Sequence, residues 1–279
     1  MKNLPDKDQL AVMRRVARLS VFEAGRIIRT HHEVAKPMAV ENKSRFDFVT
    51  SVDRRCEELI LDRISRRFPG HGFLAEESPP QEGSEPVTWV VDPLDGTTNF
   101  VHGFPFVAVS VAAIVGETVT LGFVLDPLRG ELFEAQKGCG AFLNGRPIAV
   151  SREADPERML LATGFPFRER EFLEVYLKVF GRIFKRVGGV RRAGAAALDL
   201  AYLAAGRVDG FWETGLKPWD IAAGALLIEE AGGRVSDFHG AERHIQTGHI
   251  VAGSPACYPF LLEEVKSGLA PFITTDASR

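Results

Sequence analysis

Hydrophobic residues recur at helical spacing along the first part of the chain. From residue 8 to about residue 30, apolar side chains three or four positions apart alternate with arginines, which predicts an amphipathic helix. A second helix is predicted for residues 52–68, because Thr50 or Ser51 can cap its start and a Pro-Gly pair follows its end. The segment 31–45 between them has no period and is typical of a loop or an irregular hairpin.

Short runs of β-branched and aromatic residues follow. Residues 87–91 predict a strand covered on both faces, and the chain is expected to turn at Pro93 because proline has no N–H for a central strand. Asn144 and Gly145, within the apolar segment 141–150, predict a type I′ hairpin. Further strands are predicted at residues 106–115, 119–125 and 132–136.

Beyond a polar stretch near residues 151–157, predicted strands alternate with predicted helices. Alternation of this kind favours a largely parallel sheet. The predicted strands are 159–163, 208–212, 234–237 and 249–252, and the predicted helices are 169–184, 194–205, 219–231 and 258–269. The chain is therefore expected to form a single unit over residues 1–279, with an N-terminal α+β half (1–152) and a C-terminal α/β half (153–279).

Two carboxylates stand where the strand of residues 87–91 is predicted to end. Asp92 and Asp95 lie three positions apart across the expected turn, and like charges that converge are costly unless a cation lies between them. Oxygen ligands without His or Cys favour Mg²⁺, Mn²⁺ or Ca²⁺ over zinc. Acidic turns also occur without a metal, because an Asp can hydrogen-bond its own loop, so this motif alone leaves both interpretations open.

Composition narrows the class of protein. A hydrophobic content of 45% with 25% charged residues is ordinary for a globular enzyme, and a formal net charge of −3 provides no basic surface for nucleic acid. The three cysteines are widely spaced and odd in number, which argues against a disulfide framework and fits a reducing compartment. No signal peptide or membrane span is evident, so we expect a soluble, cytoplasmic protein with no membrane or nucleic-acid partner.

Four motifs together resemble the inositol monophosphatase family of Mg²⁺-dependent, Li⁺-sensitive phosphatases. They are DFVTSVD at residues 47–53, LAEES at 74–78, DPLDGTTNF at 92–100 and KPWDIAAG at 217–224. The similarity extends from about the first helix to about residue 254, and RRAGAAALDL at 191–200 makes it strongest to the bacterial members. It implies a layered αβαβα sandwich, related to that of fructose-1,6-bisphosphatase, and assembly as a homodimer.

The resemblance also implies roles for individual residues. Mg²⁺ would be held by carboxylates and by one backbone carbonyl: Glu76, Asp92, Leu94 (carbonyl), Asp95 and Asp220. Thr97 would position the attacking water and help to deprotonate it, with Asp47 holding the Thr97 hydroxyl. The phosphate would meet the N–H groups of Gly96 and Thr97. The alcohol side would contact Gly194, Ala195, Ala196, Glu213 and Asp220.

Several of these residues have a structural explanation as well. Asp53 lies in the first turn of a predicted helix, where the helix dipole stabilises any carboxylate, and we favour that role for it. Asp220 also begins a predicted helix and could act as its cap. Gly194, Ala195 and Ala196 could expose helix N–H groups to a substrate or simply permit close packing.

The expected activity is Mg²⁺-dependent hydrolysis of inositol monophosphates and related small polyol phosphates, releasing inorganic phosphate by direct attack of water. Fructose-1,6-bisphosphate, a phosphorylated adenosine nucleotide and histidinol phosphate are alternative substrates for the same machinery. From another class, the chain could be a regulatory binding protein that keeps the metal site and pairs with transcription or translation machinery.

Overall fold

The computed structural model describes residues 4–33, 40–44, 47–166 and 170–272. Both predicted N-terminal helices are present and begin within one residue of their expected starts. The helices are α1 (Lys7–Glu33), α2 (Ser51–Arg67), α3 (Thr97–Val101), α4 (Leu173–Phe184), α5 (Ala196–Ala204), α6 (Pro218–Glu230), α7 (His244–Thr247) and α8 (Cys257–Gly268).

The described strands form a two-stranded hairpin and two larger sheets. The hairpin pairs β1 with β2, as the irregular segment before the second helix suggests. The strands are β1 (Val40–Ser44), β2 (Asp47–Thr50), β3 (Gly72–Ala75), β4 (Val87–Asp95), β5 (Ala108–Val115), β6 (Thr118–Asp126), β7 (Glu131–Gln136), β8 (Ala141–Leu143), β9 (Arg146–Pro147), β10 (Leu160–Thr163), β11 (Gly189–Arg191), β12 (Gly210–Glu213), β13 (Arg234–Ser236) and β14 (Ile250–Gly253).

The first sheet has seven strands in the order β3-β4-β5-β6-β7-β8-β9. Its two faces are covered by different helix pairs, as the run at residues 87–91 predicts. Trp89 points into the core shared with α1 and α2, whereas Val90 points into the core shared with α5 and α6, because successive strand residues face opposite ways. Asn144 (φ 49°) and Gly145 (φ 77°) form the predicted hairpin, although its second strand is Arg146–Pro147.

The second sheet has five strands in the order β11-β10-β12-β14-β13. The expectation of a largely parallel sheet is wrong for half of its pairs: β10 runs parallel to β11 and β12, but β14 is antiparallel to β12 and β13. Helical crossovers do keep β10 to β13 pointing the same way. The chain then passes through the four-residue helix α7, and β14 returns in the opposite direction between β12 and β13.

The layers stack in the predicted αβαβα order. Helices α1 and α2 cover the outer face of the first sheet, α5 and α6 lie between the two sheets, and α4 and α8 cover the outer face of the second. Close approach in the middle layer depends on Gly122 in β6, where an added Cβ would lie 3.0 Å from the carbonyl oxygen of Ala223 in α6. The starts of α5 and α6 are thereby brought to the end of β4.

The chain does not leave the sheet at Pro93, which corrects the prediction of a turn there. β4 continues to Asp95, and the residues from Asp92 to Asp95 span only Ser110 to Ala108 on the partner strand. One extra residue is therefore accommodated in a β-bulge, where a missing proline N–H is tolerated. The bulge allows Asp92 and Asp95 to face the same cavity.

Candidate active site

A cavity of about 260 Å³ lies where β4 ends and where helices α5 and α6 begin. Every residue predicted for metal or substrate binding lines it. The lining residues are Glu76, Asp92, Leu94, Asp95, Gly96, Thr97, Thr98, Thr163, Gly164, Arg192, Gly194, Ala195, Ala196, Asp199, Glu213, Leu216 and Asp220. The two halves of the chain thus contribute to one site.

Three buried carboxylates converge on one side of this cavity. Each of Asp92, Asp95 and Asp220 offers an oxygen within 4.8 Å of the oxygens offered by the other two. Burial raises the pKa of Asp92 well above its usual range, and the nearby carboxylates of Glu76, Asp95 and Asp220 raise it further. Burial likewise raises the pKa of Asp95, with Asp220 as the largest charge effect. Such a cluster favours a cation.

Backbone N–H groups hold each of the three carboxylates in place. Asp92 accepts from the N–H of Leu94 at 2.9 Å, and Asp95 accepts from Ala197 at 2.7 Å. Asp220 accepts from the N–H of Lys217 at 2.7 Å, so it does cap α6 while still facing the cavity. The structural and functional interpretations of Asp220 are therefore compatible.

Glu76 approaches the trio from the residue after β3. Its N–H extends the pairing with β4 by bonding to the Val91 carbonyl at 3.1 Å, and its side chain shares a hydrogen bond with Asp92. The next N–H, that of Glu77, donates to the Glu57 carboxylate at 2.8 Å, which ties this segment to α2. Four carboxylates and the nearby carbonyl of Leu94 make an all-oxygen donor set, which fits Mg²⁺.

The Thr97 hydroxyl is held by Asp53, whereas Asp47 was the residue expected to hold it. Thr97 Oγ1 lies 2.8 Å from Asp53 Oδ1 and 3.1 Å from the Leu94 carbonyl oxygen. Asp47 lies in β2, and its side chain is outside the described residues. Motif order alone did not distinguish two aspartates six positions apart.

Asp53 also has the structural role that we favoured for it. Its Oδ2 accepts the Thr50 N–H at 2.9 Å and the Thr50 hydroxyl, while Thr50 caps α2 by accepting from Val52. Burial raises the pKa of Asp53, and the hydrogen bonds from Thr50 and Thr97 partly offset this. One carboxylate therefore caps a helix with one oxygen and orients a candidate catalytic hydroxyl with the other.

The turn after β4 requires glycine. Gly96 has φ 90°, and an added Cβ would lie 3.0 Å from the Phe106 carbonyl oxygen and 3.3 Å from the Cβ of Ala195. Asn99, for which no catalytic role was expected, secures this turn to the second half by donating to the carbonyls of Phe106 (2.7 Å) and Ala193 (2.9 Å).

The opposite side of the cavity is formed by the second half of the chain. Helix α5 begins at Ala196 and not at Gly194, because Gly194 adopts φ 92°, a conformation that cannot start a helix. Glu213, the last residue of β12, lies against Gly164, where an added Cβ would come within 1.8 Å of Glu213 Oε1. The absence of a side chain at Gly164 thus leaves room for the Glu213 carboxylate.

Three residues of this site were missed or undervalued from the sequence. Asp53 was interpreted only as a first-turn carboxylate stabilised by the helix dipole, and the role of Gly164 depends on a contact with a strand far away in the chain. Asp199 offered a signal, since it is the lone charged residue in an otherwise apolar helix. It is 4% exposed, and its pKa is raised by burial, then by Glu213 and Asp95, against the opposing effect of Arg192.

A layered αβαβα fold with a buried acidic cavity between its sheets defines a class of metal-dependent sugar phosphatases. The chain belongs to the inositol monophosphatase family, which it matches over residues 9–270.

Solved structures and curated relatives agree with this assignment. An inositol monophosphatase from Anabaena (Nostoc) has a TM-score of 0.83 and 36% identity, covering 94% of this chain and 99% of that chain. The extragenic suppressor protein suhB from Bartonella henselae has a TM-score of 0.89 and 40% identity, covering 93% and 100%. The Nus factor SuhB of Escherichia coli is 44% identical over 259 residues, 92% of this chain and 97% of that protein.

These relatives support a phosphatase of this superfamily in general and do not define its substrate. The names of the two SuhB relatives state no phosphatase activity. These relatives also give no support to the prediction that nucleic acid is excluded as a partner. Among the described residues, no helix is long and apolar enough to cross a membrane.

Proposed function

We propose that this protein is a Mg²⁺-dependent phosphatase that hydrolyses inositol monophosphates and related small polyol phosphates to the alcohol and inorganic phosphate. The observation that carries the proposal is the convergence of Asp92, Asp95 and Asp220 beside Thr97, in a cavity whose far side presents Glu213. A buried acidic cluster and a hydroxyl-binding carboxylate in one cavity suit a substrate that carries both phosphate and hydroxyl groups.

The oxygen donors in the cavity indicate which residues would bind a metal ion. Glu76, Asp92, Asp95, Asp220 and the Leu94 carbonyl would bind Mg²⁺. When bound, Mg²⁺ neutralises charge on the phosphoryl oxygens and makes water more acidic. The buried trio would then exchange mutual repulsion for attraction to the cation.

Thr97 and Asp53 would orient the attacking water and help to remove its proton. Thr97 Oγ1 can accept a hydrogen bond from water while it donates its own proton to Asp53 Oδ1, 2.8 Å away. This arrangement orients the water without a covalent enzyme intermediate. Gly96 and Thr97, at the start of α3, line the same cavity, and their N–H groups would bind phosphate oxygens.

The alcohol side supports a hydroxyl-rich substrate. Glu213 can accept hydrogen bonds from hydroxyl groups, and Gly194, Ala195 and Ala196 line the cavity wall without a large side chain. Fructose-1,6-bisphosphate, a phosphorylated adenosine nucleotide and histidinol phosphate remain alternatives, because specificity is a difference between affinities.

The test is phosphate release from a panel of inositol, sugar and nucleotide monophosphates. We expect Mg²⁺-dependent release from inositol monophosphates, loss of activity after chelation and inhibition by Li⁺. Glu213→Gln should lower activity on the polyol phosphates more than on the other substrates. Wild-type activity that persists after exhaustive chelation would contradict the metal role, and equal activity on the whole panel would contradict the substrate class.

A second function is favoured by one observation, the name Nus factor carried by the Escherichia coli relative. Under that alternative, the chain acts as a regulatory binding protein that retains its metal site. An Asp95→Asn variant that loses turnover but complements a cellular deletion phenotype would support it. Homodimer formation and a cytoplasmic location remain predictions for gel filtration and cell fractionation.

A further inference from the structure

Asp199 is a buried carboxylate without a hydrogen-bond donor. Its side chain lines the active-site cavity from the first turn of α5 and is only 4% exposed. No residue in the described part of the chain donates a hydrogen bond to it, although its neighbours Leu198 and Leu200 are completely buried in the core. A buried acceptor of this kind is costly unless a ligand satisfies it.

Helix capping does not account for this position. Helix α5 has no side-chain cap, and the N–H of Ala197 in its first turn donates to Asp95. Asp199 lies two residues after Ala197 in the same turn, where its own N–H already donates to the Ala195 carbonyl at 3.0 Å. The carboxylate thus faces the cavity without capping its helix.

Asp199 also lies apart from the metal-facing trio. Among the described residues, the carboxylates that converge within 4.8 Å are Asp92, Asp95 and Asp220. Among the nearby charges, that of Glu213 raises the pKa of Asp199 most, ahead of that of Asp95, and the charge of Arg192 lowers it. Asp199 lies in α5, whose first residue, Ala196, lines the cavity together with Glu213, so both carboxylates are on the side that would receive the alcohol.

We propose that Asp199 is a substrate-binding residue that, together with Glu213, forms a pair of hydroxyl-binding carboxylates in the cavity. Each carboxylate accepts a hydrogen bond from a different hydroxyl of the alcohol, so the pair selects phosphate esters whose alcohol carries at least two hydroxyls close to the phosphate. The inference rests on the proposed phosphatase function and specifies the substrate class of the same site.

The test compares Asp199→Ala with wild type on two substrates, inositol 1-phosphate and p-nitrophenyl phosphate, whose alcohol has no further hydroxyl. Loss of a hydrogen bond to a charged group corresponds to about a 10- to 100-fold loss of kcat/KM, mainly through KM, for inositol 1-phosphate. Activity on p-nitrophenyl phosphate should stay within about 2-fold of wild type, because its hydrolysis does not use this bond. Asp199→Asn keeps one acceptor oxygen, so its kcat/KM for inositol 1-phosphate should lie between those of wild type and Asp199→Ala.

A stability measurement separates binding from a structural role. Removing an unsatisfied buried carboxylate should leave the thermal midpoint of Asp199→Ala equal to or above that of wild type. The matched control is Asp209→Asn, in which a buried carboxylate bonded to the Leu160 N–H is altered away from the cavity. The control should keep the wild-type ratio of the two substrates.

Deoxy analogues of the substrate provide a second readout, in wild type and in Asp199→Ala. In a series of inositol phosphates that each lack one hydroxyl, two different hydroxyls should prove important, and Asp199→Ala should cause no further loss on the analogue that lacks its partner. Equal losses on both substrates, no loss on either, or a lowered midpoint with an unchanged substrate ratio would overturn the inference. If wild type hydrolyses only p-nitrophenyl phosphate, this inference fails while phosphatase activity stands, and hydrolysis of neither overturns both.

Discussion

The two ends of the cavity hold their carboxylates in different ways. At the end that we propose binds the metal (the metal-facing end), each of Asp92, Asp95 and Asp220 accepts a hydrogen bond from a backbone N–H within 2.9 Å. At the end that we propose receives the alcohol (the alcohol-facing end), Asp199 accepts no hydrogen bond from the described residues. Glu213 lies there against Gly164, where an added Cβ would come within 1.8 Å of Glu213 Oε1. The backbone therefore orders all three carboxylates of the metal-facing end, whereas Asp199 at the other end has no such bond.

This difference separates rate from selectivity. Carboxylates fixed by the backbone keep their geometry for any substrate, so changes at the metal-facing end should lower kcat for all phosphate esters alike. Carboxylates at the alcohol-facing end touch only part of the substrate, so changes there should depend on the alcohol. The four predictions below test this division, from the largest effect to the smallest.

Asp95→Asn should have the largest effect. Loss of one charge from the trio weakens cation binding and should lower kcat by about 10³-fold on every phosphate ester, corresponding to several kcal/mol. Steady-state phosphate release with saturating Mg²⁺ measures it. Without metal the same variant should melt at a higher temperature than wild type, because one of three mutually repelling buried charges is gone. Asp62→Asn, on the exposed surface of α2, is the control. Activity within tenfold of wild type would break the comparison.

Thr97→Val should lower kcat by about 10²-fold on all substrates, because the isosteric side chain cannot relay the proton of water. Thr97→Ser, which keeps the hydroxyl, should retain most of the activity. Asp53→Asn should reduce kcat in the same direction, since Asp53 Oδ1 orients this hydroxyl at 2.8 Å. Asp47→Asn serves as the comparison, and a larger loss there than in Asp53→Asn would reverse our assignment.

Gly164→Ala should change selectivity and leave the general rate nearly intact. The new Cβ would come within 1.8 Å of Glu213 Oε1, so the carboxylate must move. We expect KM for inositol 1-phosphate to rise about 10-fold, with little change for p-nitrophenyl phosphate. Gly181→Ala in α4 is the matched control, since a Cβ there meets no atom within 4 Å. A general fall in kcat would mean that the two ends are not separable.

Acid should weaken the support behind the alcohol-facing end. Burial lowers the pKa of His249 to about 4, and its Nδ1 lies 2.7 Å from the hydroxyl of Thr214, the residue after Glu213. The pKa of His249 in the folded protein is below its unfolded value of about 6.5. The contribution of neutral His249 to the free energy of unfolding is therefore fully present above pH 6.5 and is lost as the pH falls towards 4.

The loss is at most about 1.4 kcal/mol per pH unit for one proton. The measurement is the free energy of unfolding at several pH values for wild type and His249→Asn. The variant should show a smaller slope between pH 6.5 and 4, because it lacks this proton-binding group. Identical slopes would show that His249 does not titrate in this way, whatever the other buried histidines contribute.

Local patterns predicted the elements well where one residue type determines a conformation. Thr50 caps α2, and Asn144 with Gly145 forms the hairpin, because these effects act over a few neighbouring residues. Local patterns failed where strand pairing was non-local. The direction of β14 depends on its insertion between β12 and β13, with both of which it pairs antiparallel. The continuation of β4 past Pro93 depends on a bulge that its partner strand accommodates.

The amino-acid sequence by itself determined the helical and strand periods, the acidic motif and the family to which its motifs belong, because each resides in residues that are close along the chain. Only the tertiary structure decided which carboxylates share a cavity. Asp95 accepts a hydrogen bond from Ala197, 102 positions away, and Thr97 bonds to Asp53. Such meetings depend on how α5 and α6 pack between two sheets, and burial then sets the pKa of each acid; neither can be read from residue spacing.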